Sequence, residues 1–482
     1  MSETFYWHDY ETFGADPSRD RPVQFAGLRT DAQLNVVGEP LLLFCRPAND
    51  FLPQPQACLV TGIGPSQALR EGVPECEFIE CIHAQLSRPG TCGVGYNSLR
   101  FDDEVTRYTL YRNFYDPYAR EWQHGNSRWD IIDMLRTAHA LRPEGIQWPL
   151  REDGLPSFRL EELTAANGIS HASAHDALSD VEATIALARL VKERQPKLFD
   201  HVLATRDKRS AQAMLDVVAM KPVLHVSGMF GASRHNTALI VPLATHPQNR
   251  NEIICYDLGV DPQPLLELPP EQLATLLYTR ADDLPKGAQR PGLKTVHINR
   301  CPILLTARMA DAATAERLGI SGNQCRAHLS ALRNYRERDP SAFQDKLRAI
   351  YAARSFPPTT DPDRMLYAGG FFSDTDKRAM EQVRDSSAGE LASTTFAFED
   401  ARLPEMLFRY RARNYPDSLD DAERAQWDEY RYARLTDPEA GASICMEEYQ
   451  DTIEQLLTTG DLSDAEQLLL QELLDYADHL LA

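Results

Sequence analysis

What the sequence lacks narrows its class before any motif is read. No stretch reaches the eighteen or more apolar residues of a membrane helix; the longest runs, such as Leu41-Leu42-Leu43-Phe44, are core-sized. No membrane span is therefore expected. Nine cysteines are scattered through 482 residues without a C-x-x-C pair, which argues against both a disulfide framework and a zinc site. The opening Met1-Ser2-Glu3-Thr4 has no basic stretch followed by an apolar one, so no secretory leader is expected and the protein reads as cytoplasmic, with reduced thiols. Internal repeats and low-complexity tracts are absent. Positive charge is also scarce: 50 Lys and Arg stand against 71 Asp and Glu, for a net charge of −21. Such a balance usually counts against a nucleic-acid partner.

The distribution of that charge tells a different story. Residues 196–350 carry 20 basic and 15 acidic side chains, whereas residues 437–482 hold twelve acids and no Lys or Arg. Much of the negative charge thus sits at one end, and a polyanion can still be held locally. A hydrophobic fraction of 43% and a charged fraction of 25% are those of a globular chain, and the length suggests about three domains.

Three segments follow from the pattern along the chain. Residues 1–195 alternate strand-like and helical runs, as in an α/β domain. Phe5–Tyr10 and the run from Phe25 read as strands, and residues 176–194 read as a helix stopped near Pro196. Residues 196–353 begin with short β-rich runs (223–226, 237–242, 252–258 and 295–305), as in a small barrel or sandwich, and turn helical from about Ala310. Residues 354–482 are helical, and Ser463-Asp464-Ala465-Glu466 is a capping box opening a Leu-rich amphipathic helix.

Candidate chemistry lies in three places. In His8-Asp9-Tyr10-Glu11, a strand would send Asp9 and Glu11 to one face and Tyr10 to the other. Two carboxylates there are costly to bury unless a divalent cation joins them; alone, the pair is equally a solvated edge. In Gly95-Tyr96-Asn97 to Asp102-Asp103-Glu104, a turn leads into an acidic cluster that could equally be a charged helix start. In His175-Asp176-Ala177-Leu178-Ser179-Asp180, Asp180 falls on the first turns of a helix and His175 on the loop before it. A lone histidine at a helix start is usually structural.

Taken together, D-x-E on a first strand, an Asp about ninety residues on and H-x-x-x-x-D some eighty later resemble the DEDD exonuclease superfamily, in its histidine branch (DEDDh). The stretches His8–Gly14, Asn97–Asp116, His225–Gly231, Phe371–Asp374 and Arg409–Tyr415 resemble bacterial exodeoxyribonuclease I across nearly the whole chain. That resemblance implies an RNase H-like 3′→5′ exonuclease domain (1–195), an SH3-like β-barrel domain with helices (196–353) and a helical C-terminal domain (354–482), clamping single-stranded DNA. It implies that Asp9, Glu11, Asp102 and Asp180 hold two Mg²⁺ ions, with Mn²⁺ as a substitute, and that His175 is the general base. It further implies substrate contacts from Glu11, Arg107, Tyr118, Trp122, Arg136, Arg159 and Ala177. Arg142 matches one wall of the pocket in which the family docks the C-terminal tail of single-stranded-DNA-binding protein. A monomer serving DNA repair and recombination is expected. A DEDDh exoribonuclease, a proofreading-type nuclease and an inactive single-stranded-DNA-binding scaffold are the competing readings.

Overall fold

The computed structural model describes residues 3–171, 176–352 and 359–481. The first part of the chain forms β1 (Thr4–Thr12), β2 (Pro22–Thr30), β3 (Leu41–Phe44), α1 (Glu75–Leu86), β4 (Thr91–Gly95), α2 (Asp102–Arg112), β5 (Ser127–Asp130), α3 (Ile132–Leu141) and α4 (Ala177–Arg194). The middle contributes β6 (Val223–Val226), β7 (Thr237–Thr245), β8 (Glu252–Asp257), β9 (Leu293–His297), β10 (Ile303–Thr306), α5 (Gly322–Arg338) and α6 (Pro340–Ala352). The last part is helical: α7 (Asp374–Asp385), α8 (Leu403–Asn414), α9 (Asp421–Thr436), α10 (Met446–Thr459) and α11 (Asp464–Leu481). Among the described residues no helix is long and apolar enough to cross a membrane.

Contacts divide the chain into two compact units, one of Met1–Ser127, His171–Ile185 and Pro358–Ala482, the other of Arg128–Ser170 and Ala186–Pro357. This division runs across the three segments read from sequence. The acidic end of the chain is no loose tail. Its helices α10 and α11 lay Tyr449, Ile453, Leu470 and Leu473 against Phe13, Val23 and Leu52 of the N-terminal part, while their acids face outward. Between the same parts of the first unit runs a buried ion network. Arg413 of α8 meets Asp50 and Asp363, each at 2.8 Å, and Asp50 is wholly shielded from solvent.

The first sheet has strand order β3-β2-β1-β4-β5, with β1 antiparallel to β2 and parallel to β4. The second has the order β10-β6-β7-β8-β9, with antiparallel neighbours. It is covered on both faces, which its alternation dictates. Ile254 and Tyr256 of β8 pack with Leu332 and Phe343 of α5 and α6, whereas Ile253 and Cys255 pack with Ala211 and Leu215. The β-rich run over 295–305 is divided into two strands, because Cys301 takes a positive φ of 44° and Pro302 brings no N–H to a ladder. The helical stretch after Ala310 breaks at Gly319, whose φ is +66°, and again before Pro340.

Candidate active site

β1 alternates as the motif requires. Tyr10 packs into the core against Phe25 and Phe78, leaving Asp9 and Glu11 on the opposite face. β4 pairs with β1 from Thr4 to Trp7 and then leaves the sheet at Gly95, where a Cβ would lie 2.5 Å from that of Ser98. A left-handed Asn97 (φ 60°) and a short 3₁₀ turn then bring the start of α2 back beside β1. There the Tyr10 N–H, beyond the reach of β4, donates to the Asp102 carboxylate at 3.1 Å. Asp103, one residue on, is tied to buried Arg120 at 2.6 Å, which separates its charge from the cluster.

α4 is anchored to the same sheet. Gln24 of β2 stands opposite Glu11 in register, and its side-chain carbonyl accepts the Ala177 N–H at 3.3 Å. Asp180, one turn further, therefore lands beside Glu11. Carboxylate oxygens of Asp9, Glu11 and Asp180 all lie within 4.8 Å of one another. Asp180 also receives a contact of 2.5 Å from Nε2 of His171.

So many carboxylates cannot all be charged cheaply. Burial pushes Asp9 well above the usual carboxylate range, and the charges of Asp102, Glu11 and Asp180 push it further. Glu11 is raised to about 8 by burial and then by Asp180, Asp102 and Asp176. A hard divalent cation would relieve both costs, and the donor set consists of carboxylate oxygens, which suit Mg²⁺ or Mn²⁺. The residues fit a metal.

The remaining sequence candidates fall into two groups. In the first unit, Arg107 is buried, with Glu121 at 2.7 Å, Glu104 at 2.9 Å and the Tyr367 hydroxyl at 3.0 Å on its guanidinium. The same guanidinium lies 5.3 Å from the centre of the Tyr118 ring. Trp122 is 66% exposed, whereas Ala177 has no exposed surface. In the second unit, Arg136 pairs with Asp133 at 2.7 Å over the Phe158 ring. Arg159 is largely exposed, with Glu162 near it at 3.7 Å. Arg142 closes α3 and, with Arg317, sits near Asp311. His175 lies outside the described residues.

Sequence reasoning missed His171, Gln24, Tyr367 and Phe371. Phe371 is 88% exposed and its ring lies 6.2 Å from that of Tyr118. An aromatic pair directly after Gly369-Gly370 was the available signal for it. Nothing local marks Gln24, whose role depends on strand register.

An RNase H-like sheet with a carboxylate cluster at the end of its central strand defines a DEDD-type exonuclease. Family profiles agree: "Exonuclease" matches residues 6–188, "Exonuclease I SH3-like domain" 206–353 and "Exonuclease I C-terminal domain" 360–480. The Escherichia coli (strain K12) exodeoxyribonuclease I is 49% identical over 482 residues, covering 100% of this chain and 98% of the relative. Among solved structures, a moderately thermophilic exonuclease I from Methylocaldum szegediense superposes with a TM-score of 0.94 at 52% identity, covering 100% of both chains. The zinc-bound E. coli enzyme in complex with single-stranded DNA does so with a TM-score of 0.94 at 48% identity, again over 100% of both. The chain belongs to the exodeoxyribonuclease I family.

Proposed function

We propose that this protein is a processive 3′→5′ exonuclease that degrades single-stranded DNA to nucleoside 5′-monophosphates. The observation that carries the reading is the convergence of Asp9, Glu11 and Asp180 within 4.8 Å, with Asp102 held against the same strand. Asp9, Glu11 and Asp180 would ligate two Mg²⁺ ions, or Mn²⁺ in their place, with Asp102 supporting the second. When bound, these ions neutralise the scissile phosphate and the developing charge on the attacking and leaving oxygens. His175 is of the residue type suited to take the proton of the attacking water.

The remaining residues grip and orient the strand. Trp122, Tyr118 and Phe371 offer exposed or half-exposed rings on which bases stack. Arg159 has donors to spare for phosphate, and Arg136 reaches it by exchanging Asp133 for DNA. Arg107 supports the Tyr118 ring through its cation–π contact. Ala177, whose N–H is tied to Gln24 opposite Glu11, would line the nucleotide site. Arg142 would receive the acidic C-terminal tail of single-stranded-DNA-binding protein. A monomer acting in the cytoplasm in DNA repair and recombination fits this chemistry.

The test is digestion of end-labelled single-stranded DNA, duplex DNA and RNA with Mg²⁺. Release of mononucleotides from the 3′ end of single-stranded DNA is expected, with activity lost in Asp9→Asn and Asp180→Asn. Preferential digestion of RNA would move the chain to the exoribonuclease reading, and full activity in either variant would dissolve the metal-site assignment. No cleavage of any substrate would leave a binding scaffold.

A further inference from the structure

The first unit holds a cavity of about 150 Å³, with charged side chains in a largely apolar lining, that the cleavage chemistry does not use. Arg21, Arg46, Glu75, Arg413 and Asn414 line it, together with Cys45. Glu75 and Arg413 are already paired. Glu75 holds Arg112 at 2.9 Å and the Asn113 amide at 2.9 Å, and Arg413 holds Asp50 and Asp363. Arg46 is exposed at the mouth, with one bond to the Gly72 carbonyl at 3.2 Å.

Arg21 is different. Its residue is only 4% exposed, its Nε has no hydrogen-bond partner, and no carboxylate among the described residues pairs with it. Burial, then the nearby guanidinium groups of Arg112 and Arg413, lower its pKa to about 10 against the opposing charges of Glu75 and Asp50, so it stays charged at neutral pH. Burial also keeps the Cys45 thiol protonated, so it supplies no compensating anion. Glu75 and Asp50 offset its charge from a distance without bonding it, and a buried guanidinium whose Nε lacks a partner is costly, since it cannot shed its proton to escape the cost. The cavity is large enough for several waters or for one tetrahedral oxyanion. Three arginines and one glutamate are in its lining, with Arg21 buried and Arg46 exposed. A guanidinium fork matches two oxygens of such an ion.

We infer that this cavity is a binding site for a phosphate-class oxyanion, seated on Arg21 and closed over by Arg46. Inorganic phosphate and the 5′-phosphate of a mononucleotide share this chemistry, and the experiment separates them. Isothermal titration calorimetry of the full-length protein in EDTA, which removes divalent ions from the carboxylate cluster, uses inorganic phosphate at constant ionic strength. One saturable site is expected, weakened at least about fivefold in Arg46→Ala and lost in Arg21→Gln. If Arg21→Gln does not fold, Arg46→Ala alone decides, since its side chain is exposed and its loss leaves the core intact. Thymidine 5′-monophosphate in the same cell identifies the source: tighter binding than phosphate assigns the nucleotide, equal or weaker binding the free ion. Absence of a saturable heat, or an affinity unchanged in Arg46→Ala, overturns the inference.

Discussion

Glu11 keeps its proton to about pH 8, far above an exposed glutamate, because it is buried among carboxylates. A raised carboxyl favours the folded state below its unfolded value near 4.5 and loses that advantage as pH climbs through about 8. Metal-free protein should therefore melt lower at pH 8.5 than at pH 6. Glu11→Gln should melt higher than the parent at pH 8.5, with the two converging near pH 5. Scanning calorimetry in EDTA measures this, and parallel pH profiles would refute the electrostatic account. A divalent cation at about a hundred times its dissociation constant should stabilise the parent by about 2.7 kcal/mol, and the variant by less. His171 acts on the same cluster from behind, through its contact with Asp180. Removing such a support behind a metal ligand typically costs about 10–100-fold in metal affinity. His171→Ala should show that loss in Mn²⁺ binding followed by electron paramagnetic resonance, and an unchanged affinity would make the contact incidental.

At the scale of elements, the segment after α2 separates packing from recognition. Tyr108 and Tyr111 of α2 are core residues against Met406 and Tyr410 of α8. The chain then turns at Phe114, whose φ is +62°, and Asp116 accepts the N–H groups of Tyr118 and Ala119 to start a short 3₁₀ turn. Beyond that break Trp122 lies off α2 with its ring exposed. Trp122→Ala and Phe371→Ala should each weaken single-stranded DNA binding by about 1–3 kcal/mol per lost stack. Fluorescence anisotropy in EDTA tests this, with Tyr108→Phe as a control of little effect. The acid pair on β1, the helix ending near Arg194 and the Ser463–Glu466 capping box were all legible, because each is a local pattern with one geometric outcome. The pairing of Gln24 with Ala177 and of His171 with Asp180 was not, since strand register and loop path place those atoms. The β-rich run read over 295–305 resolves into two strands for a local reason, the proline at 302 that brings no N–H to a ladder.

At the scale of the molecule, the first unit depends on chain from both ends. Asp50 is held ionised, well below the usual range, by Arg413, Arg21 and Arg434. Arg413→Ala would strand that charge and should cost about 3–5 kcal/mol, measured by urea unfolding. Glu75, depressed to about 2 chiefly by Arg112 and Arg21 against the cost of its burial, adds stability above pH 4.5 that is lost as pH falls towards 2. A fragment of residues 1–195 would expose Phe13, Val23 and Leu52 and should aggregate, so tests of the DNA grip need the whole chain. There the salt dependence of binding should show a slope of about −0.7 per phosphate contacted. The shared core also has a consequence during synthesis. Phe13 and Val23, close to the strand that carries Asp9, are made long before Leu435, Tyr449 and Leu470, the residues that pack with them. At about 5–20 residues per second, the nascent nuclease waits tens of seconds for its own closing helices. Chains terminated before α10 would keep Asp9, Glu11, Asp102 and Asp180 yet leave Phe13 and Val23 without the residues of α10 and α11 that pack with them, so they should fail to hold the acidic cluster in its folded setting.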